Sequence, residues 1–100
     1  LQAGEVVILN FWASWCSTCA AQQRVIAELM AETPAYAEKI RFLVVDWDEY
    51  GDGDLSRSLQ IPRRSTLVAL KGDQEIARIV AGTGKAQFKA LFVAALAAAG

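Results

Sequence analysis

The sequence predicts an α/β fold, with a central mixed four-stranded sheet and helices on both faces. Val6–Phe11 is an almost unbroken apolar run rich in Val and Ile, which is typical of a strand buried on both of its faces. Ser14–Thr33 contains neither Gly nor Pro, and Ile26, Leu29 and Met30 recur within it at helical spacing. A buried strand followed by a helix is the opening unit of α/β domains.

Similar patterns predict the remaining elements. Pro34 ends the first helix, which is expected to begin near Trp15. Residues 71–74 have the length of an antiparallel hairpin loop, which makes the sheet mixed. The predicted elements are strands at Val6–Phe11, Phe42–Val45, Thr66–Leu70 and Glu75–Ala81, a helix after the first strand, a short helix at Leu55–Leu59, and a closing helix capped by Thr83 that packs through Phe88, Leu91, Phe92, Ala95 and Leu96. The order β-α-β-α-β-β-α predicts one domain over residues 1–100.

The composition excludes several classes of function. With 54% hydrophobic residues, the 100-residue chain has enough apolar side chains for one core. A net charge of −1 gives no attraction to nucleic acid or to an anionic membrane, and the apolar stretches are too short for membrane insertion. His is absent, which removes the usual base of Ser-His and Cys-His catalysis and a common metal ligand. Any chemistry must therefore use other groups.

The two cysteines, Cys16 and Cys19, indicate redox chemistry. They lie where the first strand gives way to the helix, so Cys16 is expected at a helix N-terminus, whose N–H groups and dipole stabilise a thiolate. Such a position lowers a cysteine pKa from about 8.5 to roughly 3.5–7.5. Cys19 is three residues further on, on the same helical face, so it can attack a mixed disulfide formed on Cys16.

Residues 11–19, FWASWCSTC, resemble the active-site signature of the thioredoxin superfamily. The resemblance implies a minimal thioredoxin fold and a thiol–disulfide oxidoreductase, with Cys16 as the nucleophile and Cys19 as the resolving thiol. It also implies protein thiols and disulfides as substrates, an upstream redox partner, a monomer, and no cofactor beyond the redox-active disulfide itself. Trp15 would border the substrate groove, with Ser17 and Thr18 beside it in place of the usual Gly-Pro.

Two positions depart from the family pattern. Asn10 stands where the family commonly has a buried Asp that accepts a proton from the resolving cysteine, and Phe42 is assigned to the position of its Lys partner. Ser65 takes the position of the family's cis-Pro, with Pro62 as a rival candidate. A trans Arg64–Ser65 bond is expected, since a cis bond before a residue other than proline costs about 3 to 4 kcal/mol.

These departures bear on substrate binding. In the family this loop offers backbone groups to an extended substrate, so the resemblance implies that Arg64, Ser65 and Thr66 contact the substrate. The hydroxyl of Ser65 is also predicted to donate to the Cys16 thiolate. Arg63 and Arg64 either favour that thiolate or select acidic peptides, or else are solvated loop arginines. Because Asn does not take up a proton at physiological pH, Cys19 would be deprotonated through water, through another acid or by the substrate.

Two alternative functions stay open. One is a binding module that keeps the fold without catalysis, and the other is a metal carrier in which two chains share a metal through their cysteine pairs. The acidic segment after the second predicted strand is expected to be a solvated loop, because its spacing does not match a calcium-binding loop; its acidic residues are Asp46, Asp48, Glu49, Asp52 and Asp54. The resemblance favours an exported, periplasmic protein, although a cytoplasmic one is compatible with it, and leaves the direction of the redox reaction open.

Overall fold

A computed structural model describes residues 5–50, 53–61, 63–72 and 74–99. The elements are β1 (Val6–Trp12), α1 (Ser17–Glu32), α2 (Ala35–Lys39), β2 (Arg41–Asp46), α3 (Trp47–Tyr50), α4 (Asp54–Ser58), β3 (Thr66–Lys71), β4 (Gln74–Val80) and α5 (Lys85–Ala99). The strands form one sheet in the order β2-β1-β3-β4. The β1–β2 pair is parallel, whereas the β1–β3 and β3–β4 pairs are antiparallel, so the sheet is mixed, as predicted. Within these ranges, no helix combines the length and the apolar character needed to span a membrane.

The predicted order of strands and main helices is confirmed, with two added helices and with several bounds shifted by one or two residues. The short helices α2 and α3 were not predicted; Pro34 ends α1 but also starts α2, since proline is well tolerated where a helix begins. Helix α1 begins at Ser17 rather than near Trp15, because Cys16 is its N-cap. Helix α5 begins one residue later than a Thr83 cap requires, and its first helical hydrogen bond is accepted by the Gly84 carbonyl.

The core lies on both faces of the sheet, because β1 and β3 are buried on both sides. One face packs against α1, α2 and α5, where Tyr36 and Phe42 each meet Phe92 edge-on, with ring centroids 5.2 and 5.3 Å apart. The other face is covered by Trp47, Ile61 and other apolar side chains from the segment that contains α3 and α4. The expectation of helices on both faces is confirmed.

The end of β1, the start of α1 and the segment before β3 meet at one edge of the sheet. The Ser65 N–H donates to the Phe11 carbonyl at 2.7 Å, and the Ser65 carbonyl accepts from the Ala81 N–H at 2.8 Å. These two bonds fix the backbone of Ser65 between β1 and the end of β4. The cysteines follow directly after β1, so the sheet positions Ser65 beside them.

Candidate active site

Cys16 is the N-cap of α1. Its backbone is extended, with φ −91° and ψ 113°, and its Sγ accepts a hydrogen bond from the Cys19 N–H at 3.1 Å. The first N–H groups of a helix have no partner within the helix, and a cap normally satisfies one of them with a side-chain oxygen. Here the sulfur of Cys16 takes that place. The Cys16 thiolate therefore lies at the positive end of the helix dipole, which stabilises its negative charge.

The surroundings of Cys16 favour its thiolate. Burial raises the pKa of this thiol and is the largest single influence. Hydrogen bonds to the side chain of Cys19, to the Ser65 hydroxyl, to the Cys19 N–H and to Arg64 together outweigh it and lower the pKa from 9.0 to about 6. Cys16 is therefore mostly ionised at neutral pH without any histidine.

Ser65 lies against both sulfurs. Its Oγ is 3.1 Å from Cys16 Sγ and 3.1 Å from Cys19 Sγ, and its side chain is fully buried. The contact with Cys16 was predicted, whereas the contact with Cys19 was not. Ser65 has a φ of 65°, in the left-handed region that residues other than Gly seldom adopt. The Arg64–Ser65 bond is trans, as expected, and the rival candidate, Pro62, lies outside the described residues.

Gln22 supports Ser65 from α1, a role that the sequence analysis missed. Its Nε2 donates to the Ser65 carbonyl and to the Gly82 carbonyl, both at 2.9 Å, and the side chain is fully buried. The available signal was a polar residue on an otherwise apolar helical face, since Gln22 follows Cys19 by three residues and precedes Ile26 by four. A buried amide at such a place usually has a hydrogen-bonding role.

The exposed Trp15 and the half-buried Arg64 form a rim beside the cysteines. Trp15 is 59% exposed, and the Arg64 guanidinium carbon lies 4.2 Å from its ring centroid, a cation–π contact. The Trp15 Nε1–H donates to the two carboxylate oxygens of Asp48 at 2.9 and 2.8 Å. The interpretation of Arg64 as a solvated loop arginine is therefore wrong. Asp48, assigned to a solvated acidic loop, belongs to this rim.

The other predicted substrate contacts differ in accessibility. Ser17 is exposed and Thr18 is half-buried at the start of α1. Thr66 is fully buried and its hydroxyl donates to the Arg63 carbonyl at 2.7 Å, so its side chain supports the loop rather than facing a substrate. The backbone N–H and carbonyl of Ser65 are both used within the protein, which removes them from the predicted pairing with a substrate strand.

Asn10 lies beside a cavity of about 250 Å³ that is lined mainly by apolar residues. Its side chain is buried, and Oδ1 has no hydrogen-bond partner among the described residues. Phe42, assigned to the position of the family's Lys, lines the same cavity. In the register of β1 and β2 it pairs with Ile8, and the residue directly opposite Asn10 is Val44. Both β2 positions are apolar, so the acid–base pair of the family pattern is replaced here by apolar surroundings.

A protein-family model described as Thioredoxin matches residues 1–94. The chain belongs to the thioredoxin family. Among solved structures, thioredoxin from Malassezia sympodialis superposes with a TM-score of 0.78 at 28% identity, covering 94% of this chain and 80% of that one. This likeness confirms the thioredoxin fold predicted from the signature around Cys16.

Two relatives with known names are similar in sequence to this chain. Thioredoxin H4-1 from Oryza sativa subsp. japonica is 37% identical over 94 residues, which are 94% of this chain and 66% of the relative. The bifunctional thioredoxin reductase/thioredoxin from Mycobacterium leprae (strain TN) is 28% identical over 86% of this chain, and the match spans 18% of that protein. This chain therefore spans less than two thirds of the length of either relative.

The thioredoxin relatives, together with the Cys16–Cys19 pair, support a thiol–disulfide oxidoreductase domain over the two alternatives. In the described part of the chain, no three or more His, Cys, Asp or Glu side chains are grouped to hold a metal ion. Neither the non-catalytic binding module nor the metal carrier is favoured by these comparisons.

Proposed function

We propose that this protein is a thiol–disulfide oxidoreductase that exchanges disulfides with protein substrates, with Cys16 as the attacking thiol and Cys19 as the resolving thiol. The observation that carries the proposal is the position of Cys16 Sγ as the cap of α1, 3.1 Å from the Cys19 N–H and 3.1 Å from the Ser65 hydroxyl. These donors stabilise the thiolate, which is the nucleophilic form of cysteine.

Accessibility supports this assignment of roles. Cys16 is 4% exposed and follows the exposed Trp15, whereas Cys19 has no exposed surface. A substrate disulfide therefore reaches Cys16 first. The Cys16 thiolate forms a bond to one substrate sulfur, and the other substrate sulfur leaves with the electron pair of the broken bond.

The second step belongs to Cys19, one helical turn after Cys16. Its sulfur attacks Cys16 Sγ, the bond to the substrate breaks, and the substrate leaves as a thiol while a Cys16–Cys19 disulfide forms. Each such turnover leaves the pair oxidised, so an upstream electron donor has to reset it. We propose a donor of the thioredoxin reductase type, which the name of the Mycobacterium leprae relative supports.

Trp15 and Arg64 are proposed to bind the substrate. Trp15 offers an exposed aromatic face, and Arg64 offers a cation held in place by that face. Ser17 is exposed at the start of α1 beside them. Because the backbone of Ser65 is used internally, side-chain contacts at this rim should contribute more to substrate binding than pairing with Ser65.

The direction of the reaction follows from how strongly the thiolate is stabilised. A Cys16 pKa of about 6 lies between about 7 for thioredoxin and about 3.5 for the oxidant DsbA. We therefore expect a reduction potential between about −270 and −120 mV, nearer the reducing value. Equilibration of the pair with glutathione buffers measures it directly.

Insulin reduction with two matched variants tests the proposal. Cys16→Ser should abolish reduction, because no thiolate remains to attack. Cys19→Ser should still attack but accumulate a mixed disulfide with the substrate, visible on a non-reducing gel. Retained turnover in Cys16→Ser, or a trapped complex in that variant rather than in Cys19→Ser, would contradict the assignment.

The exported location and the monomeric state remain proposals. The location is supported by the Arg64-Ser65-Thr66 segment that stands in place of the cis-Pro segment. Fractionation of cells that express the natural gene tests the location, and light scattering of the purified protein tests the monomer. Recovery in the cytoplasm, or a mass of twice the chain, would contradict the respective proposal.

A further inference from the structure

The hydroxyl of Ser65 lies between the two sulfurs, 3.1 Å from each. A hydroxyl carries one proton to donate and has lone pairs that accept. It can therefore donate to one sulfur only while it accepts from the other. Cys16 already receives the Cys19 N–H and favours the thiolate, so the hydroxyl donates to Cys16. Its lone pairs lie beside Cys19 Sγ and can accept the S–H of Cys19 once Cys16 is no longer a thiolate.

We infer that Ser65 is a catalytic residue that carries the proton from Cys19 to the departing substrate thiol during resolution of the mixed disulfide. The inference deepens the proposed function and rests on it. Such a proton path does not require the buried Asp that the family commonly has at the position of Asn10.

The transfer is balanced. In the mixed disulfide, Cys16 is bonded to a substrate sulfur and no longer carries the charge that held the Ser65 proton. The Cys19 sulfur forms its bond to Cys16 Sγ as its proton passes to the Ser65 oxygen. The substrate sulfur takes the electron pair of the broken bond and receives the proton that Ser65 releases, so Ser65 ends as it began.

No competing group contacts Cys19 in the described ranges. The hydrogen-bonding side chains at its sulfur are Ser65 and Cys16. Arg64 helps to lower the pKa of Cys16, but a guanidinium is already protonated and cannot accept a proton. Asn10 is an amide and also cannot serve as a base. Ser65 is thus the side chain placed to take the proton of Cys19.

The backbone holds Ser65 firmly enough for this role. Its left-handed φ of 65° is uncommon for serine and unfavourable. The conformation persists because Phe11, Ala81 and Gln22 each hydrogen-bond its backbone. Backbone strain that is held in place by several surrounding contacts is typical of functional sites. Here the strained backbone directs the Ser65 hydroxyl at both sulfurs.

Two variants separate the hydroxyl from the backbone. Ser65→Ala removes the hydroxyl and keeps the unfavourable φ, whereas Ser65→Gly removes the hydroxyl and relieves it. Each reduced protein is mixed with oxidised glutathione at pH 7, where a thiol of ordinary pKa keeps its proton and resolution requires a proton transfer. Acid-quenched samples are then analysed by mass spectrometry, so that attack and resolution are timed separately. Ser58→Ala, an exposed serine on α4, is the matched control.

We expect both Ser65 variants to resolve the glutathione adduct about 100-fold more slowly, a larger loss than any change in the rate of adduct formation, where the hydroxyl only stabilises the Cys16 thiolate. Ser58→Ala should match the unaltered protein in both steps. Resolution at the normal rate in both Ser65 variants overturns the inference, as does slow resolution in Ser65→Ala alone, which would indicate backbone strain. If the unaltered protein forms no adduct or never resolves it, the proposed function itself fails.

Discussion

Ser65 and Asn10 are both buried polar residues at positions where the chain departs from the thioredoxin pattern, and their surroundings are opposite. The Ser65 hydroxyl has two sulfur partners, and its backbone is bonded to three elements of the fold. Asn10 Oδ1 has no partner in the described ranges and lies beside a largely apolar cavity. The contrast indicates that Ser65 transfers the proton during resolution, whereas Asn10 contributes packing alone.

The largest effect is expected from Ser65→Pro, which introduces the residue that thioredoxins usually have at this position. Proline fixes φ near −65° and has no N–H, whereas Ser65 has a φ of 65° and donates its N–H to Phe11. The variant should lose about 4 kcal/mol of unfolding free energy, from the backbone conflict and the lost bond. Urea unfolding of the reduced protein measures the loss.

Ser65→Gly is the control for that measurement. Glycine adopts a positive φ without strain and keeps the N–H, so this variant should stay within about 1 kcal/mol of the unaltered protein. Equal stability of Ser65→Pro and the unaltered protein would show that the backbone of Ser65 does not constrain the site.

The stability of the reduced protein should depend on pH through Cys16. Its folded pKa of about 6 lies below the 9.0 of the unconstrained thiol, so between these values the unfolded state binds more protons and stability rises with pH. At about 1.4 kcal/mol per pKa unit, the gain is on the order of 4 kcal/mol. It is complete above about pH 9 and is lost as the pH falls through about 6.

Urea unfolding at several pH values tests this dependence. Reduced Cys16→Ser, which has no thiol to titrate at this position, should lack the rise while it keeps the pH dependence of the other groups. Identical slopes for the two proteins between pH 6 and pH 9 would mean that the contacts from Ser65, Cys19 and Arg64 do not stabilise the thiolate.

Gln22→Leu should have an intermediate effect, because it removes support from the Ser65 side alone. The substitution deletes the donors to the Ser65 and Gly82 carbonyls while it roughly conserves side-chain volume. We expect a loss of about 2 kcal/mol, measured by urea unfolding. Gln23→Leu, at the neighbouring half-buried position, should change stability by about 0.5 kcal/mol or less. Equal losses of unfolding free energy in the two variants would show that the hydrogen bonds of Gln22 do not support Ser65.

The sequence predicted the fold and the cysteine pair because both depend on local patterns. The apolar runs, the helical spacing and the signature around Cys16 are each contained within a few consecutive residues. The supporting contacts were missed because they join distant parts of the chain: Trp15 and Asp48 are 33 positions apart, and Gln22 and Ser65 are 43 apart. The positive φ of Ser65 was not predictable either, since serine has no intrinsic preference for it.

Asn10→Leu should have the smallest effect and is the sharpest test of the contrast between the two sides. Leucine removes a buried oxygen that has no partner in the described ranges and adds apolar contacts beside the cavity. Unfolding free energy should therefore stay within about 1 kcal/mol of the unaltered value or rise. The rate at which Cys19 resolves the glutathione adduct should also be unchanged, because the proposed proton path runs through Ser65. Slower resolution in Asn10→Leu would return proton handling to the Asn10 side, and a loss of about 2 kcal/mol or more would show that its amide is a supporting group after all.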